Sequence, residues 1–173
     1  MTAAPRPPSR AFLALYRRVV NPVIRFSVLR LGAGRSGVKS LRILRVRGRT
    51  TGRVREVPVG VAELDGHRYV LTMMGDAQWA RNLRAAGQAQ LVSGRTAEDV
   101  TAREIHGQDK IAVLTRCCQL RQYQGPARVA LRSAFGKTVR QIAEPEIELL
   151  SQIWFVFLLQ NADPRRAPVT PAG

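Results

Sequence analysis

Two glycine-bearing turns set between alternating segments decide most of what this chain can fold into. Leu41 to Arg47 reads as a strand, and Gly48-Arg49-Thr50-Thr51-Gly52-Arg53-Val54-Arg55 follows as a turn. Val57, Val59 and Val61 then alternate with Pro58, Gly60 and Ala62, the period of a half-buried strand. Asp65-Gly66 is a two-residue hairpin signal. The return strand runs from His67 to Met74, with Tyr69, Leu71 and Met73 on one face and Val70, Thr72 and Met74 on the other. A further hairpin turns about Gly94-Arg95, joining Ala89–Ser93 to Thr96–Ile105, and the aromatic, β-branched run Ile153–Leu159 reads as a closing buried strand. Five or six short antiparallel strands with helices inserted late imply a small barrel or curled sheet rather than alternating parallel units.

The helices are marked by caps and period. Gly75-Asp76 ends the return strand, and Asp76 is placed to cap a helix reaching Ala86, which Gly87 stops. Trp79 and Leu83 lie four apart on its apolar face; Asn82 borders that stripe, where an amide normally has a specific partner. Ile111, Leu114 and Cys118 give helical spacing from Gln108 to Leu120, and Ala127 to Phe135 reads as another turn or two of helix. Glu144, Glu146 and Glu148 read as a solvated helix start. Residues 1–8 form a Pro-rich leader expected to be disordered, residues 9–32 an amphipathic helix capped by Ser9 and interrupted at Asn21-Pro22, residues 38–160 the barrel domain, and residues 161–173 a flexible tail.

The formal charge is +16, with Arg outnumbering Lys 25 to 3, so an anionic partner is implied. The charge centre runs from Arg30 to Arg55, with nine basic residues and no acid. Within it, Gly48 and Gly52 permit positive backbone angles that aim successive N–H groups into one concavity. Thr50 and Thr51 add hydroxyls, and Arg49, Arg53 and Arg55 add guanidinium forks suited to phosphate or carboxylate. The turn is thus either an anion cradle or a solvated basic loop. Residues 10–30 either lie on an anionic membrane surface or pack across the domain with their arginines in water.

Catalytic side chains are scarce. Cys117 and Cys118 are adjacent and His67 and His106 stand apart from them, so neither a disulfide framework nor a metal site is expected, and a reducing, cytoplasmic compartment is read from them. No run of about 20 apolar residues suggests a membrane span. Such a chain is built to bind an anion and a flat apolar group, with the chemistry left to a cofactor.

The Gly48–Arg55 turn followed by Val57-Pro58-Val59, the Asp65-Gly66-His67-Arg68-Tyr69-Val70 hairpin and the helix Trp79-Ala80-Arg81-Asn82-Leu83-Arg84-Ala85, in that order, resemble the deazaflavin-dependent nitroreductase family over roughly residues 38–105. The resemblance implies a split β-barrel that uses coenzyme F420. It places the coenzyme's phosphate and acidic tail on Arg49, Thr50, Thr51 and Arg55, with Arg53 standing in for a lysine that relatives often carry where this chain has Thr50. Pro58 would shape the strand beside the ring, Met73, Met74, Gly75 and Asp76 would line it, and Trp79, Asn82 and Leu83 would close the pocket.

The implied reaction is hydride transfer from carbon 5 of the reduced deazaflavin to a quinone-like, nitro or other conjugated electrophile. It needs no covalent catalyst; Tyr123, and Tyr16 on the first helix, are candidates to cover the open ring face, with packing as the alternative role. The alternative cofactor is FMN, and the alternative functions are a flavin-binding or lipid-carrying split barrel and, more distantly, a basic nucleic-acid-binding module. Because no nucleic-acid-binding signature is present, no nucleic-acid partner is expected. A homodimer is one of the assembly states open to such a barrel.

Overall fold

Six strands close on themselves in the computed structural model, which describes residues 41–72, 77–119 and 144–162. The elements in chain order are β1 (Leu41–Arg47), β2 (Val54–Leu64), β3 (His67–Leu71), α1 (Gln78–Ala86), β4 (Gln88–Ser93), β5 (Thr96–Glu104), α2 (Gly107–Gln119), α3 (Glu144–Ile153) and β6 (Val156–Asn161). Every pairing is antiparallel, and the order around the barrel is β1-β2-β3-β6-β5-β4, with β4 returning to β1. The pattern of residues implies a small barrel or curled sheet, and the barrel closes as the split β-barrel that the family resemblance implies. β6 separates β3 from β5, so the last of the described strands is inserted between two earlier ones.

The alternation in β2 has the consequence expected of a period of two. All six strands send side chains to the barrel interior: Leu44 and Val46, Val59 and Val61, Val70, Ala89 and Leu91, Val100, and Phe157 and Leu159. Ala80 and Leu83 of α1 join this cluster. The opposite faces of β2, β3 and β6 present Ala62, Leu64, Leu71, Val156 and Leu158, which α2 and α3 cover with Leu114, Cys117, Ile147 and Leu150. A sheet with both faces needed for packing tolerates no slip in register, because a shift of one residue would exchange the two sets.

Across β2, β1, β4 and β5, Glu56, Arg45, Gln90 and Asp99 stand directly opposite one another in register. Arg45 Nε donates to Glu56 Oε1 at 2.8 Å, Arg45 Nη1 to Gln90 Oε1 at 3.2 Å, and Gln90 Nε2 to Asp99 Oδ1 at 3.2 Å. This polar row crosses the β1–β4 seam, whose backbone pairing spans only Ile43↔Val92 to Arg45↔Gln90.

Several sequence expectations shift at their boundaries. β1 and the Asp65-Gly66 and Gly94-Arg95 turns fall where expected, with φ of 50° at Asp65 and 76° at Gly66. The return strand ends at Leu71, short of Met74. The apolar run expected as one strand from Ile153 is divided: α3 continues through Ile153, Trp154 N–H donates to Leu150 O at 2.8 Å, and pairing begins at Val156. Short apolar runs fit helix and buried strand equally, and here the strand partners Leu71 and Glu104 set the boundary. Among the described residues no helix is long and apolar enough to cross a membrane. The leader expected at residues 1–8, the helix expected over 9–32 and the helical turns expected over 127–135 lie outside the described residues, and of the tail expected over 161–173 only Asn161, which belongs to β6, and Ala162, whose N–H donates to Asp99 O, are described.

Candidate functional site

The glycine-bracketed turn joins β1 to β2 through residues 48–53. Its two glycines do different things. Gly52 has a φ of 66°, which a side-chain-bearing residue adopts only at a cost, and nothing lies within 4 Å of where its Cβ would be. Gly48 does not have the positive φ expected for it. It is buried, and a Cβ there would come within 3.1 Å of Arg53 O and 3.2 Å of Thr51 Oγ1. The turn closes tightly over Gly48: its N–H donates to Arg53 O at 2.9 Å, and Gly52 N–H donates to Gly48 O at 2.8 Å. Gly48 is therefore required for close approach of two backbone segments.

The folded turn leaves Arg49, Thr50, Thr51, Arg53 and Arg55 exposed. Thr51 Oγ1 accepts weakly from Arg53 N–H at 3.4 Å, so this hydroxyl also serves the turn itself. The side chains of Arg53 and Arg55 meet no carboxylate among the described residues. Arg49 is fixed differently. Its backbone N–H donates to Asn82 Oδ1 at 3.3 Å, and its Nη1 donates to the same oxygen at 3.1 Å and to Gln78 Oε1 at 3.0 Å. The partner that Asn82 was expected to need is thus Arg49, and through it the turn and α1 form one unit.

α1 begins one residue later than the sequence suggested. Its N-cap is Ala77, which supplies no side-chain acceptor, so the capping role expected of Asp76 is not met at that position. Met73, Met74, Gly75 and Asp76 themselves lie outside the described residues, as do Tyr16 and Tyr123. The helix is held by what it buries. Leu83 is fully buried, Asn82 is 8% exposed, and half-buried Trp79 packs against Phe157 with ring centroids 6.2 Å apart. Trp79 and Leu83 are accordingly part of the barrel core, and Trp79 keeps an accessible part. Gly87 ends the helix in the left-handed conformation, donating to Leu83 O at 2.9 Å. Pro58 sits half-buried opposite Ile43 on the outward side of β2.

The far end of α1 carries a cluster that sequence reasoning missed. Arg84 makes a bidentate pair with Glu104 at 2.5 and 2.8 Å and lies over the Phe155 ring with its Cζ 4.6 Å from the centroid. Nearby Lys110 is only 8% exposed. Burial holds its amine below the ordinary lysine range, with Glu104 opposing that shift and Arg84 adding to it. No spacing in the chain links residues 84, 104, 110 and 155; the barrel closure does. Thr72, also buried, ties the same end together: Thr72 N–H donates to Phe155 O at 2.9 Å and Phe155 N–H to Thr72 Oγ1 at 2.8 Å.

Chemically, the turn offers guanidinium groups that no carboxylate among the described residues neutralises, beside a packed helix with an aromatic face, an arrangement suited to an anionic group joined to a flat one. Among the described residues no cluster of His, Cys, Asp or Glu could hold a metal ion. His67 and His106 are exposed and Cys117 is buried on α2.

Among solved structures, the chain is similar to the heme storage protein HutZ from Vibrio cholerae, with 14% identity over 72% of this chain and 82% of that one and a TM-score of 0.47. It is likewise similar to an F420-H2 dependent reductase, FDR-A, at 17% identity over 70% and 95% of the two chains and a TM-score of 0.41. A conserved hypothetical protein from Mycobacterium tuberculosis aligns over 100% and 97% of the two chains at 15% identity and a TM-score of 0.45. No curated protein matches the chain significantly. The F420H(2)-dependent quinone reductase family model matches residues 15–125, a span holding β1 to β5, the arginine turn and α1. The chain therefore belongs to the F420H(2)-dependent quinone reductase family.

Proposed function

We propose that this protein binds reduced coenzyme F420 with its phosphate and acidic tail on the Gly48–Arg55 turn, and reduces a quinone-like electrophile stacked on the ring. The observation that carries the site assignment is that Arg49 and Arg53 on the turn and Arg55 at the start of β2 stand without a carboxylate among the described residues to neutralise them, inside the span that the family model matches. Three like charges concentrated in this way favour a polyanion strongly. Thr50 and Thr51 supply neutral donors beside them.

When bound, the reduced coenzyme supplies the hydride. The chain's own work is to bind, orient and exclude water. The arginine turn anchors the anionic end, and α1, rigid because Leu83 and Trp79 are packed into the barrel, fixes the position of the ring relative to that anchor. Met73, Met74, Gly75 and Asp76, which connect β3 to α1 in the chain, are assigned to the ring on the strength of the family resemblance, as are Pro58, shaping β2 beside the ring, and Tyr123, for the acceptor. Quinones are lipid-soluble, and the basic, amphipathic sequence of residues 10–30 suits a peripheral contact with anionic membrane.

A fluorescence titration of the purified protein with coenzyme F420 tests the assignment. Micromolar or tighter binding is expected, weakened about tenfold or more in Arg49→Ala and Arg55→Ala, since each loses a charge-assisted hydrogen bond. Unchanged affinity in both variants would remove the turn from the site, and no binding by the wild type would remove the coenzyme. A soluble naphthoquinone is the acceptor of choice for turnover, and vesicles containing anionic lipid, pelleted with and without residues 1–31 present, test the membrane contact.

A further inference from the structure

Two ways of holding an arginine by side chains occur among the described residues. Arg45, Arg68, Arg84 and Arg116 each donate to a carboxylate, on Glu56, Glu98, Glu104 and Asp65 respectively. Arg49 is bound by three hydrogen bonds, yet its acceptors are the carboxamide oxygens of Gln78 and Asn82. A carboxylate orients a guanidinium and also cancels its charge; a carboxamide oxygen orients it and leaves the charge intact.

We infer that Asn82 and Gln78 are positioning residues: they fix Arg49 in one orientation with its full charge available, so that it meets an external phosphate already ordered, and Asn82 acts through Arg49. This rests on the turn being the coenzyme site proposed above. The orientation of the Asn82 amide follows from its partners, because both groups facing it are donors of Arg49 and only the oxygen can accept from them. Asn82 is well suited to the task. It is 8% exposed, flanked in α1 by core residue Leu83, and its single oxygen fixes both the backbone and the side chain of residue 49. Rotamer entropy that a free arginine would lose on binding is lost during folding instead. Gln78, on the exposed first turn of α1, makes a second point of attachment, one open to solvent.

Near-isosteric charge variants separate this role from a structural one. Asn82→Asp and Gln78→Glu keep the acceptor and add a negative charge, so Arg49 is held at least as firmly but is neutralised. The expected result is a melting temperature equal to or above that of the wild type together with coenzyme F420 affinity reduced about 10- to 100-fold, the larger effect at position 82. Asn82→Ala should also weaken binding, and it should speed hydrogen exchange at the Arg49 backbone amide, a readout that needs no ligand. If Asn82→Asp and Gln78→Glu bind the coenzyme within twofold of the wild type, or if affinity across the set merely follows melting temperature, the charge-preserving role is overturned. A wild type that fails to bind the coenzyme defeats the functional assignment instead. Inorganic pyrophosphate then replaces it as probe, and equal pyrophosphate binding by wild type and Asn82→Asp overturns the positioning role independently.

Discussion

The two glycines of the arginine turn should respond differently to the same substitution, because one is needed for its backbone angle and the other for space. At Gly52, φ is 66° and the site of a Cβ is open, so Gly52→Ala meets only the intrinsic penalty of a left-handed alanine, about 1 kcal/mol. Asparagine tolerates that conformation, so Gly52→Asn should recover most of the loss. At Gly48 the added methyl would lie 3.1 Å from Arg53 O, the same oxygen that accepts the Gly48 N–H at 2.9 Å. Relief requires that oxygen to retreat by a few tenths of an ångström, which weakens this bond and strains the neighbouring Gly52 N–H to Gly48 O contact.

With each bond contributing about 1 kcal/mol and alanine returning about 0.4–1 kcal/mol through the unfolded chain, the net cost of Gly48→Ala is about 1 kcal/mol. Asparagine cannot rescue it, since the conflict is one of volume. Urea denaturation gives the stabilities, and coenzyme titration gives the functional cost, which should exceed the stability cost at position 48 because the strain falls next to Arg49. If Gly48→Ala and Gly48→Asn match the wild type in both assays, or if asparagine rescues position 48 as well as position 52, the distinction drawn between the glycines is wrong.

Two further outcomes follow from the buried polar groups. Thr72→Val keeps the shape but leaves the Phe155 N–H without its 2.8 Å acceptor, and should cost about 1–3 kcal/mol in denaturation, where Thr72→Ser restores most of it. A Thr72→Val protein as stable as the wild type would remove that bond from the account of how β3 is tied to β6. For Lys110, the folded-state pKa is depressed by burial, so below it the charged amine destabilises the fold. As pH rises from the depressed value towards the unfolded value of about 10.4, the unfolded chain binds more protons and stability is regained. Lys110→Met should therefore stabilise the protein at pH 7, with the difference shrinking as pH rises through that window; a difference independent of pH would count against the titration.

The parts of the fold legible in the sequence were those coded locally. The Asp65-Gly66 and Gly94-Arg95 turns, the alternation in β2 and the glycine stop at residue 87 each depend on a few adjacent residues. Asn82 stood at an intermediate point: its place beside an apolar stripe announced a partner, but nothing short of the fold could say that the partner was Arg49, 33 residues earlier. The role of Gly48 was misjudged because a tight approach and a positive φ leave the same letter in the sequence. Residues 84, 104, 110 and 155 were not legible as a cluster at all, since they come from separate elements joined only when the barrel closes. The same is true of the row from Glu56 to Asp99, assembled across four strands.

The placement of β6 between β3 and β5 bears on synthesis. As the chain leaves the ribosome, β1 to β3 can form a meander and β4 can pair with β5, but β3 and β5 each keep an open edge until residues 156–161 have emerged. Open edges are templates for pairing with other chains, and during that interval the nascent protein depends on speed or on a chaperone to avoid it. Arrest of translation between β5 and β6 would therefore leave a species with two unsatisfied strand edges, more prone to association than the closed barrel.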